Sequence, residues 1–235
     1  MDIIKIDGIE IEVVRKKIKN MNLYVLPPDG RVRITAPLRM KDSTIRNFAG
    51  SKLDWIKKHR EKYLALGIQH GKKYLSGEIH SYQGKDYLLN VFCTNKKQRV
   101  ELCNEKGQIN LYVRENSTVE QRKKILAEWY RSRLKEQIPG LIDKWEKIMG
   151  VKVKSFGVKS MKTRWGTCNR NAGRIWINLE LAKKSPKCLD YIVVHEMTHL
   201  IEKYHNKRFY SCMDRFMPDW KEARKELKNT LIITQ

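Results

Sequence analysis

Residues 189–201 carry two competing demands on one short stretch. Leu189, Ile192, Val193, Met197 and Leu200 recur at helical spacing, which predicts a largely buried helix. The same stretch holds His195, Glu196 and His199, and burying such groups without partners costs several kcal/mol. A shared ion resolves the conflict. Four residues on a helix make one turn plus about 40°, so His195 and His199 share a face and both imidazoles can reach one metal. Glu196 projects about 100° further round. That sets a carboxylate beside the ion without making it a ligand, where a general base for an activated water belongs.

Two histidines leave a zinc site incomplete. The one histidine further downstream is His205, separated from His199 by Leu200-Ile201-Glu202-Lys203-Tyr204. Five residues are enough for the helix to end and the chain to turn back. Three His plus an open position make a tetrahedral Zn²⁺ site of the catalytic kind. An isolated HExxH arises by chance in roughly one in a hundred chains of this length and composition. The third histidine therefore matters to the argument. His59, His70 and His80 are scattered singly and are expected to be ordinary surface or hairpin residues.

Composition narrows the setting. The 235 residues are 41% hydrophobic with a mean hydropathy of −0.62, enough apolar material for a core. No apolar run approaches the roughly 20 residues of a membrane span. The N-terminal stretch has no basic region followed by an apolar one, so a cytoplasmic, non-membrane protein is expected. Five cysteines without a CxxC pair argue against a disulfide framework or a Cys-based zinc finger; Cys168, in a Gly-containing loop, is the one of interest. The net charge of +23 is spread along the chain without a tail or long basic block. It suits a solvated surface or an anionic partner such as nucleic acid.

The fold class expected is α+β, with a β-rich region over 1–115 containing one helix and a helix-rich core over 116–235. Ile9–Val13 and Val32–Ala36 alternate apolar with polar residues, and Pro27-Pro28-Asp29-Gly30 marks a turn between Leu23–Leu26 and Val32–Ala36. A helix capped by Asp42 or Ser43 carries Ile45, Phe48, Ala49, Leu53, Ile56, Tyr63 and Leu64 on one stripe. Tyr82–Tyr87 predicts a tight hairpin, and Val100–Cys103 with Ile109–Val113 a second one. Ser117-Thr118-Val119-Glu120 is a capping-box pattern opening a helix to about Gln137, which Pro139 interrupts or restarts and Gly150 ends. No internal repeat is visible.

HEMTH with His205, the preceding Thr163–Cys168 loop and the strand Arg174–Leu179 together resemble the YgjP-like metal-dependent hydrolases, a family related to the SprT-like and WLM zinc metallopeptidases. The resemblance spans most of the chain. It implies His195, His199 and His205 as metal ligands, Glu196 as general base, and a zincin-like helix–sheet–helix core with the active-site helix beneath a small sheet. The further zinc ribbon of SprT-like DNA–protein crosslink proteases has no counterpart, so that role does not carry over.

Four further features are candidates around this core. Arg164 could clamp an anionic substrate or an oxyanion. Tyr204 could donate a hydrogen bond to a tetrahedral intermediate. Asp214 and Asp219 could orient a ligand imidazole. By resemblance to zincin edge strands, the strand Arg174–Leu179 could run along an extended substrate. The expected function is a zinc-dependent hydrolase acting on peptide bonds. An alternative is phosphoanhydride hydrolysis of a nucleotide, with Lys and Arg on the phosphates. A third reading is a basic nucleic-acid-associated protein with structural zinc, against which Glu196 argues, since a structural site has no use for a base.

Overall fold

The computed structural model describes residues 2–26, 30–65 and 72–228, and the chain divides into two compact units, Met1–Lys72 and Lys73–Gln235. His70 and the Pro27–Asp29 turn lie outside the described residues, as do the side chains of Tyr63 and Leu64. The expected division after residue 115 falls inside the second unit.

The first unit is a four-stranded sheet followed by two helices. Its strands are β1 (Asp2–Ile6), β2 (Ile9–Lys16), β3 (Asn22–Leu26) and β4 (Arg31–Pro37), in the order β1-β2-β4-β3. Ile11, Val13, Val32 and Ile34 alternate onto the buried face. Where one helix was expected there are two, α1 (Asp42–Gly50) and α2 (Leu53–Ala65). Lys41 stands at the N-cap of α1, with no side-chain cap bond, and Asp42 lies in its first turn. Ile45, Ala49 and Ile56 are the stripe residues that become fully buried.

The second unit opens with β5 (Ile79–Tyr82), β6 (Lys85–Cys93), β7 (Arg99–Cys103) and β8 (Gln108–Val113), ordered β5-β6-β8-β7. This repeats the topology of the first sheet: two antiparallel hairpins joined through a parallel central pair. The first hairpin of each sheet has a two-residue turn with both φ angles positive, Asp7 (49°)–Gly8 (75°) and Gln83 (49°)–Gly84 (76°), the twist that suits a tight hairpin. The duplication is invisible in sequence because the two copies share apolar alternation and turn geometry, not residues.

Next comes α3 (Val119–Met149), 31 residues long and continuous through Pro139. Leu126, Tyr130, Leu134, Ile138, Ile142, Trp145 and Met149 are buried along it. This apolar stripe continues on both sides of the proline, so packing offsets the lost backbone bond. The capping box uses Thr118 and Gln121, one residue later than expected; Ser117 Oγ instead accepts from Arg122 Nε at 2.9 Å. Gly150 ends the helix with φ 67°.

The remainder is a three-stranded sheet and three helices. β9 (Ser155–Lys159), β10 (Gly166–Asn169) and β11 (Arg174–Asn178) lie in the order β10-β11-β9, followed by a 3₁₀ turn at Leu179–Lys183. Then come α4 (Pro186–Ile201), α5 (Lys207–Phe216) and α6 (Trp220–Lys228). One core runs from Tyr74 to Leu227, joining β5–β8, α3 and the C-terminal helices. α4 is buried on most of its surface. It is tied to α3 by hydrogen bonds from Trp145 Nε1 and Lys144 Nζ to Asp190.

Candidate metal centre

α4 positions the first two imidazoles, and the turn after it delivers the third. The helix ends at Ile201, and Glu202 takes an extended conformation at φ −131°. The chain then reverses, and Asn206 starts α5 by accepting a hydrogen bond from the Phe209 backbone N–H at 3.0 Å. His205 directly precedes that cap. As a result, one ligand-type atom each of His195, His199 and His205 lies within 4.8 Å of the others.

Two contacts set how the rings face. His199 Nδ1 lies 3.1 Å from the Glu202 carbonyl oxygen. A carbonyl can only accept, so Nδ1 carries the proton and Nε2 keeps its lone pair. The Nε2 atoms of His195 and His205 face each other at 3.0 Å. Ligand nitrogens on a tetrahedral ion with bonds of about 2.0–2.1 Å stand roughly 3.4 Å apart. Beneath all three lies Phe209, fully buried, its ring centroid 4.6–5.0 Å from those of the imidazoles. Sequence reasoning did not single out Phe209, because an apolar residue in sequence signals burial and not what it supports.

Burial holds the rings neutral. The His195 imidazole is pushed down to about 3, first by burial and then by the neighbouring His199 and His205; His199 and His205 are lowered as well, chiefly by burial. Neutral imidazoles are the form that binds a metal. Glu196 is 4% exposed, and among the described residues no donor hydrogen-bonds its carboxylate. Burial pushes it up to about 8, against a smaller opposing effect of Arg164. A positive ion nearby would reverse that preference.

The loop facing α4 is fixed from below. Asn178, fully buried, donates from Nδ2 to the carbonyls of Met161 (2.9 Å) and Arg164 (2.7 Å) and accepts at Oδ1 from the Met161 and Glu180 N–H groups. The chain continues into β10, where Gly166 meets Glu196. A Cβ there would stand 2.6 Å from Glu196 Oε1 and 2.7 Å from its Cγ, so the approach requires glycine. A buried Asn closing an apolar strand was the available, unused signal for this clamp.

A cleft of about 1180 Å³ lies between β10 and α4 and contains all three histidines, Glu196 and Arg164. Tyr204 is not among its walls; it is 63% exposed, with Lys203 Nζ over its ring at 5.0 Å. Tyr191 lines the cleft instead, its hydroxyl raised to about 12 mainly by burial. Asp214 accepts from Trp220 Nε1 at 2.8 Å and Asp219 pairs with Lys187 at 2.7 Å, so neither is bonded to an imidazole. Cys168 lines the cleft with its thiol pushed up to about 11 by burial. His80 is buried beside Glu78 at 3.2 Å and His59 stacks on Trp55 at 3.9 Å; the cluster is made of His195, His199 and His205. The strand Arg174–Asn178 is interior, paired to β10 on one side and β9 on the other, and cannot accept a substrate strand. Among the described residues the sheet's edges are β10 and β9, and β10 is the one that lines the cleft.

A family profile described as YgjP-like, metallopeptidase domain, matches residues 19–230, spanning the histidine cluster, Glu196 and β10. The chain belongs to the YgjP-like metallopeptidase domain family. Membership implies a divalent metal, and three converging neutral imidazoles are a donor set that fits one. The zymogen of the metallopeptidase abylysin from Pyrococcus abyssi is 19% identical, with a TM-score of 0.36 over 39% of this chain and 91% of that one, too slight a likeness to argue from. No curated protein matches the chain. No helix among the described residues of this YgjP-like chain is long and apolar enough to cross a membrane.

Proposed function

We propose that this YgjP-like protein is a zinc-dependent peptidase in which His195, His199 and His205 hold the ion and Glu196 is the general base. The observation that carries the reading is the convergence of three imidazoles beside a buried carboxylate that accepts no hydrogen bond from the described residues, within one open cleft. A bound Zn²⁺ would supply Lewis acidity, polarising a carbonyl and acidifying a water. Glu196 takes the proton from the attacking water and passes it to the leaving amine. Gly166 lets that carboxylate sit against β10. The free edge of β10 aligns an extended peptide through backbone hydrogen bonds.

A second reading, phosphoanhydride hydrolysis of a nucleotide, draws on the basic side chains Arg164, Arg170, Lys203 and Arg224 in the cleft wall. The two separate in one assay. Zinc-loaded protein is offered an unfolded polypeptide and a set of nucleoside triphosphates, with Glu196→Gln as the blank. Glu196-dependent peptide cleavage is expected; Glu196-dependent phosphate or pyrophosphate release without cleavage would replace the first reading by the second.

A further inference from the structure

Four cations and one carboxylate, Glu196, line the cleft, but the cations are not equivalent. Arg170 already donates to the Leu200 and Ile201 carbonyls at 3.4 and 3.5 Å. Lys203 lies over the exposed Tyr204 ring, and Arg164 is exposed to solvent. Arg224, on α6, is half-buried. Its guanidinium lies over the rings of Trp220 at 5.3 Å and Tyr210 at 6.0 Å. Those rings stack at 5.7 Å, and Trp220 stacks in turn on Tyr191 at 6.1 Å. Asp214 holds the Trp220 indole through its N–H.

The guanidinium is therefore pre-positioned by ring contacts, which leave its N–H donors unused. Among the described residues it has no carboxylate or carbonyl partner. Arg224 also shares the cleft wall with all three histidines and Glu196. A partly desolvated, unpaired arginine is matched best by a carboxylate, which its planar fork takes through two parallel hydrogen bonds.

We propose that Arg224 is a specificity-determining residue that binds a carboxylate of the peptide substrate, on an acidic side chain or a free C-terminus. The inference rests on the peptidase reading and adds a substrate class to it: peptides that present a carboxylate near the cleaved bond. Salt bridging from a fixed, partly desolvated arginine favours such peptides over their amide counterparts by roughly tenfold or more.

The test uses the full zinc-loaded chain and peptides that differ by Glu or Gln near the cleaved bond, each with a free or amidated C-terminus. The Glu/Gln pair reports a side-chain carboxylate and the acid/amide pair a terminal one. Binding of the same fluorescent peptides to the Glu196→Gln protein gives a readout independent of turnover. One carboxylate-bearing series should show a roughly tenfold lower KM and tighter binding. Arg224→Gln should abolish the difference and Arg224→Lys should keep part of it. Because the peptide comparison is made in the unsubstituted protein, a folding defect in Arg224→Gln cannot imitate the result. Cleavage with equal KM within both the Glu/Gln and the acid/amide pairs, or a preference that survives Arg224→Gln, overturns the proposal and leaves the peptidase reading intact. If no peptide is either cleaved or bound, the peptidase reading itself falls, and this proposal with it.

Discussion

Glu196 and Gly166 illustrate how two residues thirty positions apart form one chemical unit. Replacing Glu196 by Gln keeps shape and removes the base. Metal content, measured by elemental analysis, should stay near one ion per chain while kcat falls at least about a hundredfold. Replacing Gly166 by Ala drives a methyl group into the space occupied by the carboxylate. Metal content should again be kept, while kcat falls by about two orders of magnitude through misplacement of the base. His205→Ala removes one of the converging rings and should lower zinc retention on dialysis; undiminished zinc would take His205 out of the site. The nearness of His195, Glu196 and His199 was legible in sequence because helical spacing sets two imidazoles on one face and the carboxylate about 100° round; His205 was legible as the histidine that follows the helix. Gly166, Asn178 and Arg224 were not, since each matters through a neighbour that is distant along the chain.

At the level of elements, the site depends on how α4 hands over to α5. Glu202 ends one helix while its carbonyl fixes the His199 tautomer, and Asn206 starts the next. Phe209, in the first turn of α5, is the floor under all three rings. Phe209→Ala should destabilise the protein by about 3–5 kcal/mol and weaken zinc retention without touching a ligand. A denaturant melt paired with metal analysis checks both; loss of stability with unchanged zinc affinity would show that the floor is only structural. The strands and hairpins were readable from alternation and turn residues, including the Gln83-Gly84 and Asn104–Gly107 turns. The continuity of α3 across Pro139 was not, because proline's local cost is visible in sequence and the packing that offsets it is not.

For the whole molecule, the core that runs from Tyr74 to Leu227 and every wall of the cleft belong to the second unit. A chain limited to residues 73–235 should therefore melt cooperatively and retain about one zinc. Failure of that fragment to fold would mean that the first unit contributes to the core in solution. Chelation should lower the melting temperature of the full chain, since zinc at a hundred times its Kd adds about 2.7 kcal/mol to the folded state. The division expected after residue 115 followed a change from strands to helices along the chain. The structure groups by shared burial instead, and β5–β8 bury their apolar face in the same core as α3 and the C-terminal helices.

The amino-acid order alone determined the α+β character, most of the strands and the geometry of HExxH, because each depends on periodicities of two or 3.6 residues that are local to the chain. Tertiary structure decided the rest. Which strand has a free edge depends on who pairs with whom: the interior position of β11 leaves β10 and β9 as the edges, and only β10 lines the cleft. Which polar residues face the cleft depends on helix packing, which brought in Arg224 and left Tyr204 in solvent. Strand pairing and helix packing join residues across long stretches of sequence, so neither leaves a periodic trace that the chain could show by itself.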